Sequence, residues 1–187
     1  MTVWPRRLTL GLCLLLFPAY VRAQQTMVLR EYNVKAAFLY NLVKYTDWPP
    51  RAFTQPDEPI VIGLLGDDPF GDVLDRIVAG RTINGHPIVV RRATGVAELK
   101  GAHVVFIGPS EAGRAAKQCA AIESFHALTV GDREQTAAFT AVKFALEDDR
   151  VVFTVDLART ARVGVRISSK LLNLAKAVVG RNVVNSP

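Results

Sequence analysis

The sequence predicts a single α/β domain on a mostly parallel mixed sheet, with helices on both faces, a C-terminal antiparallel hairpin and a final helix. Three observations carry that prediction. The chain has 187 residues, half of them hydrophobic, with 13 Gly and 10 Pro; this suits one buried core and falls short of what two large domains need. Four short apolar runs bounded by turn residues alternate with helical segments, the pattern of a parallel sheet covered on both faces. Near the end, two strands are joined by Asp148-Asp149 alone, too short a link for a crossover, so they form an antiparallel hairpin. No internal repeat, low-complexity tract or Gly/Ser linker divides the chain.

The first segment reads as an address and not as part of the fold. Arg6 and Arg7 precede an apolar run from Leu8 to Tyr20, which closes on Val21-Arg22-Ala23. A basic start, an apolar stretch and a small-residue cleavage site make a secretory signal peptide. The run contains Pro18 and is shorter than the roughly 20 residues of a membrane span. Leu12, not a small residue, precedes Cys13, which disfavours lipid attachment. Residues 1–23 are therefore expected to be cleaved, leaving a domain at 24–187. Cleavage removes Arg6, Arg7 and Arg22 from a formal charge of +6 and leaves +3. The remaining basic residues form no stripe, so nucleic acid is not an expected partner. Cys119 is then alone, which excludes an intramolecular disulfide and a thiolate metal site and reads as a buried helical cysteine.

Leu29 to Tyr45 is the first helix, ended by Thr46-Asp47-Trp48-Pro49-Pro50. At 100° per residue, Tyr32, Ala36, Leu39 and Val43 form one stripe and Phe38, Leu42 and Tyr45 an adjoining one. This arc covers about half the circumference, more than one core contact needs, so part of it is expected to face a partner. Lys35 falls inside the arc. Its ordinary role there is to snorkel to the rim; its functional alternative is a fixed cation at the edge of a cleft, paired with a carboxylate. The run 59–66 is a strand buried on both faces, followed by a helix from Asp72 to Ala79 with Asp68 as cap and Pro69 at its first position. Asn84-Gly85 marks a tight turn before a strand at 88–92. A third strand at 102–108 feeds a helix from about Ser110 to Phe125, and a fourth strand spans 127–131. The hairpin pairs 142–147 with 150–156. Ser168, Ser169 and Lys170 open the final helix, whose Leu171, Leu172, Ala175, Val178 and Val179 share a face and whose stop is Gly180.

The constellations of catalysis are missing from the sequence. His86, His103 and His126 all stand at strand beginnings without the spacing of a zinc site. There is no nucleophile elbow, no dinucleotide fingerprint and no P-loop. Neither catalytic residues nor a metal or other cofactor are expected. The promising polar groups follow strand ends, where open α/β sheets bind ligands: Asp67 and Asp68 after the first strand, Pro109 and Ser110 after the third, Asp132 and Arg133 after the fourth. Each has an ordinary alternative role as a cap or turn residue.

Residues 31–49 (EYNVKAAFLYNLVKYTDWP) closely resemble the opening of the YfiR-like family. So do Leu65-Gly66-Asp67-Asp68-Pro69-Phe70-Gly71, the Asn84-Gly85 turn before Ile88-Val89-Val90-Arg91-Arg92, Val105-Phe106-Ile107-Gly108, Leu146-Glu147-Asp148, and Arg166-Ile167-Ser168-Ser169-Lys170-Leu171-Leu172. The resemblance implies a periplasmic regulator and not an enzyme: a repressor of an inner-membrane diguanylate cyclase acting through the cyclase's periplasmic region. It further implies control of cyclic-di-GMP and biofilm, sequestration by an OmpA-like outer-membrane lipoprotein, and a homodimer. Redox-sensitive members carry cysteine pairs, and here Cys119 is single. The expected contact residues, for a partner or a ligand, are Lys35, Tyr40, Asp67, Asp68, Arg166, Ser168, Ser169 and Lys170. A second reading keeps the fold but makes the chain a small-ligand-binding subunit for a sensor kinase or transporter, with a cleft near Lys35, Asp67 and Asp68.

Overall fold

The computed structural model describes residues 27–132 and 134–180; the expected signal segment, Arg133 and the last seven residues lie outside them. Helix α1 (27–44) leads into β1 (Thr46–Asp47), a 3-10 turn (Pro50–Ala52), β2 (Ile60–Leu65), α2 (Val73–Val78), and the hairpin of β3 (Thr82–Ile83) and β4 (His86–Ala93). A 3-10 helix (Val96–Leu99) precedes β5 (Val104–Ile107); another (Pro109–Arg114) opens α3 (Ala115–Ser124). The chain continues with β6 (Leu128–Gly131), α4 (Glu134–Ala137), β7 (Val142–Glu147), β8 (Arg150–Asp156), α5 (Leu157–Val163), β9 (Arg166–Ile167), α6 (Ser169–Leu172) and β10 (Ala177–Val179).

Eight strands form one sheet in the order β10-β8-β7-β6-β5-β2-β4-β3, and β1 pairs separately with β9. The ladders β4-β2-β5-β6-β7 are parallel, as the strand and helix alternation predicts. The hairpin β7-β8 is antiparallel, with Val142 opposite Val155 and Glu147 opposite Arg150. Asp148 and Asp149 take φ of 46° and 59° at its turn, and Asn84 and Gly85 take φ of 53° and 90° at the β3-β4 turn; paired positive φ is what a two-residue hairpin turn requires.

The central strands are buried on both faces, and alternation divides them between two cores. Ile60, Ile62, Leu64, Val104, Phe106, Leu128 and Val130 join α1 and α2 in one cluster. Val61, Leu65, Val105 and Ile107 join Cys119 and Ile122 of α3 in the other. The apolar arc of α1 is largely consumed by its own sheet: Leu39, Leu42 and Val43 are buried, and Phe38 packs 6.0 Å from Phe144 and 5.1 Å from Phe153. Of the arc's flank, Val34 stays exposed. Because α1 already uses that width, the arc itself carries no case for a partner.

The final helix is present but short. Ser168 caps it by accepting from the Lys170 N–H at 3.3 Å, yet it ends at Leu172, and the segment expected to continue it to Gly180 becomes β10, parallel to β8. Val178 and Val179 are β-branched, and the open edge of β8 supplies ladder partners, so pairing there outcompetes about two further turns of helix.

Candidate functional site

The carboxyl ends of the parallel strands are closed by protein groups. Ser110 Oγ accepts from the Asp67 N–H at 2.9 Å, and the Gly108 N–H donates to Leu65 O at 2.8 Å. A Cβ on Gly108 would lie 2.6 Å from Asp67 O, so two loops press together where the strand order reverses. Asp68 accepts from the Phe70 N–H at 2.7 Å and from Arg92 Nε at 2.7 Å. It therefore caps the turn before α2, not α2 itself, and ties that turn to β4. Arg92 also pairs with Asp75 at 2.5 Å, which holds the Asp75 carboxyl below its usual range, chiefly through that hydrogen bond.

Lys35 neither snorkels nor lines a cleft. Its side chain is 2% exposed and lies 3.1 Å from Asp132 Oδ2, whose side chain is fully buried; it also pairs with Glu31 one turn earlier. Tyr32 donates to the same Asp132 oxygen at 2.6 Å. An unpaired charge at either place is too costly, so the triad pins α1 to the end of β6. Tyr40, on another side of α1, carries Arg81 over its ring at 4.9 Å.

Arg166, Ser168, Ser169 and Lys170 do come together, at the opposite end of the molecule. Arg166 lies opposite Asp47 in the β1-β9 ladder, and the Ser168 N–H donates to Tyr45 O at 2.8 Å. Arg166, Ser169 and Lys170 are exposed. The predicted contact residues thus fall into a buried group around Lys35, a surface pair of Asp67 and Asp68 near the carboxyl edge, Tyr40 on the flank, and this ribbon at the C-terminal end of α1.

A cavity of about 230 Å³ adjoins the ribbon, lined among others by Trp48, Arg51, Glu58, His103, His126 and Val165. It sits at the amino-terminal edge of the sheet, which sequence reasoning did not consider. A signal was present: His86 opens β4, and His103 and His126 just precede β5 and β6. In a parallel sheet all strand beginnings share one edge, so these positions converge. His103 is 4% exposed. Its Nδ1 accepts from the Val61 N–H at 3.2 Å and its Nε2 donates to Ala52 O at 3.1 Å. Burial, which strips water from the imidazolium, holds its pKa below the ordinary 6.5. Glu58 is held low by the backbone N–H and hydroxyl of Thr54. The Arg51 guanidinium packs where a side chain on Gly164, φ 79°, would stand.

Among the described residues, no group of three His, Cys, Asp or Glu side chains is placed to hold a metal ion, and no helix is long and apolar enough to cross a membrane. Cys119 is buried, and burial pushes its thiol up to about 12.

Fold and geometry together define a mixed α/β domain whose exposed polar ribbon and cavity share the amino-terminal edge of the sheet. The YfiR/HmsC-like family profile matches residues 32–176, and the chain belongs to that family. No curated protein matches the sequence significantly. Two solved structures are similar in part. One is a conserved domain protein from Vibrio cholerae O1 biovar El Tor, at 10% identity over 63% of this chain and 54% of that one, with a TM-score of 0.47. The other is an ABC domain in complex with L-Trp from Streptococcus pneumoniae, at 8% identity over 64% of this chain and 55% of that one, with a TM-score of 0.46. The chain spans about half the length of these structures.

Proposed function

We propose that this chain is an exported, non-enzymatic repressor that holds an inner-membrane diguanylate cyclase inactive by contacting its periplasmic region. The observation that carries the reading is the family match over residues 32–176, which supports a regulator of diguanylate cyclase signalling in general. The export segment at 1–23 supports a periplasmic setting. The contact surface of this proposal is the β1-β9 ribbon with Arg166, Ser169 and Lys170, because these are exposed and adjacent while Lys35 is spent on Asp132. Exposed charged residues at a rim set association rate and register. Sequestration by an OmpA-like lipoprotein and a homodimeric state belong to the same reading and follow from the family resemblance. Binding of the purified chain to the cyclase's periplasmic domain tests it: Arg166→Glu with Lys170→Glu should weaken the complex about tenfold or more, and absence of binding by the wild-type chain would overturn it.

The cavity favours a second reading, a small-ligand-binding subunit for a sensor kinase or transporter. Its combination of an indole, a guanidinium, a carboxylate and imidazoles around apolar walls is the lining of a small-molecule site. The cleft is then at the amino-terminal edge and not near Lys35, Asp67 and Asp68. Saturable thermal stabilisation by a single metabolite, lost in Arg51→Ala, would support this reading.

A further inference from the structure

We propose that His103 is an acid-sensitive latch: protonation of its ring releases segment 48–58 from the sheet and opens the cavity that this segment walls. The inference is independent of which partner or ligand the protein binds.

Segment 48–58 contributes the 3-10 turn Pro50–Ala52 and, among the described residues, no β-ladder pairing. It crosses the beginnings of β2, β4 and β5, and supplies Trp48, Pro49, Arg51, Ala52, Thr54 and Glu58 to the cavity wall. Two imidazoles tie it to the sheet. His86 Nδ1 lies 2.8 Å from Glu58 O, and His103 Nε2 lies 3.1 Å from Ala52 O. Phe53 is stacked between them, 3.8 Å from His86 and 4.9 Å from His103, and Trp48 stands edge-on to His103 at 5.4 Å.

The two ties differ in their response to acid. A carbonyl only accepts, so His86 Nδ1 donates to Glu58 O, and a second proton on that ring leaves the bond intact. His103 is committed at both nitrogens: Nε2–H donates to Ala52 O, while Nδ1 must stay bare to accept the Val61 N–H. A proton on Nδ1 would face the Val61 N–H directly. The ring cannot turn in place, because Trp48 and Phe53 enclose it. The charged ring must therefore leave its slot beside Val61; its Nε2–H can still donate to Ala52 O, but it then holds Ala52 and Phe53 on a ring no longer seated against β2.

The charges around the ring set the balance. Burial opposes the imidazolium most; the hydrogen bond to Ala52 O and the Glu58 carboxylate favour it, His86 adds like-charge opposition, and the net effect is against the charged ring. Arg51 and His126 share the cavity walls. The docked state thus prefers the neutral ring and the released state the charged one. Docking is complete above about pH 6.5 and weakens as pH falls from there to the lower value of the docked ring, by up to tenfold per pH unit.

The test is a pH titration of the folded, 15N-labelled chain from 8 to 4.5 by NMR, following the His103 ring, the Val61 amide and amide exchange across 48–58, corrected for intrinsic exchange. The expected result is a Val61 amide shift that tracks His103 ionisation, with protection of 48–58 falling up to tenfold per pH unit while β5 and β6 stay protected. In His103→Gln, which cannot ionise, protection should be independent of pH. The proposal is overturned if Val61 does not move as His103 ionises, if 48–58 keeps its protection after the ring is charged, or if His103→Gln shows the same acid release. Should His103→Gln fail to fold, the wild-type correlation between ring and amide decides alone.

Discussion

At the scale of single residues, the buried charges do structural work. Lys35, Asp132 and Tyr32 bridge α1 and the end of β6. Lys35→Met should destabilise the chain by about 3–5 kcal/mol, because Asp132 then keeps a buried charge without its cation. The double change Lys35→Met with Asp132→Leu should recover much of that loss, both values coming from urea unfolding. The sequence showed that a lysine stands among apolar neighbours on the helical wheel. It did not show which carboxylate meets it, since the pairing spans 97 positions and depends on α1 lying along the sheet. Cys119 was legible, because an alanine-flanked helical cysteine with no second cysteine in residues 24–187 reads as buried. With its thiol pushed up to about 12, it should stay unreactive toward iodoacetamide at pH 8 in the native state and react at the free-thiol rate in denaturant.

At the scale of elements, the parallel strands and the hairpin were legible because length, apolar runs and turn residues agree. The end of the chain was not. Leu171, Leu172, Ala175, Val178 and Val179 fit a helical face, yet the last two pair along the free edge of β8, a tertiary option invisible in the local pattern. The candidate site was legible only in part. Asp67, Asp68 and Ser110 follow strand ends as expected, but their hydrogen bonds close the crevice on itself. Trp48 reads as part of the stop after the first helix and Arg51 carries no local pattern at all, although the strand-initial histidines mark the edge where both converge. Gly164 links the elements there: it ends α5 at φ 79° beneath Arg51. Gly164→Ala forces a left-handed non-glycine residue, about 1–2 kcal/mol, and displaces the guanidinium. A fall in Tm of roughly 2–8 °C is expected by calorimetry.

At the scale of the whole molecule, stability should fall as the medium turns acidic. His103 is held below 6.5 in the folded state, so its contribution is full above about that pH and is lost as pH drops toward the depressed value. The carboxyls of Glu58 and Asp75 are held below 4.5 and 3.8. Their contributions persist above those values and disappear only in stronger acid. Chemical unfolding across pH 8 to 4 should therefore show a first decline beginning near 6.5, absent in His103→Gln. The proposed export would remove residues 1–23 and with them half of the formal charge of +6, leaving +3, so the proposed contact needs no general basic field. The proposed repression rests instead on a specific contact with a cyclase. The most direct measurement is the cellular cyclic-di-GMP level in a strain lacking this gene, and in the same strain carrying the wild-type chain or the Arg166→Glu, Lys170→Glu variant. A rise on deletion that the wild type reverses and the variant does not is the predicted result; an unchanged level on deletion would contradict the account.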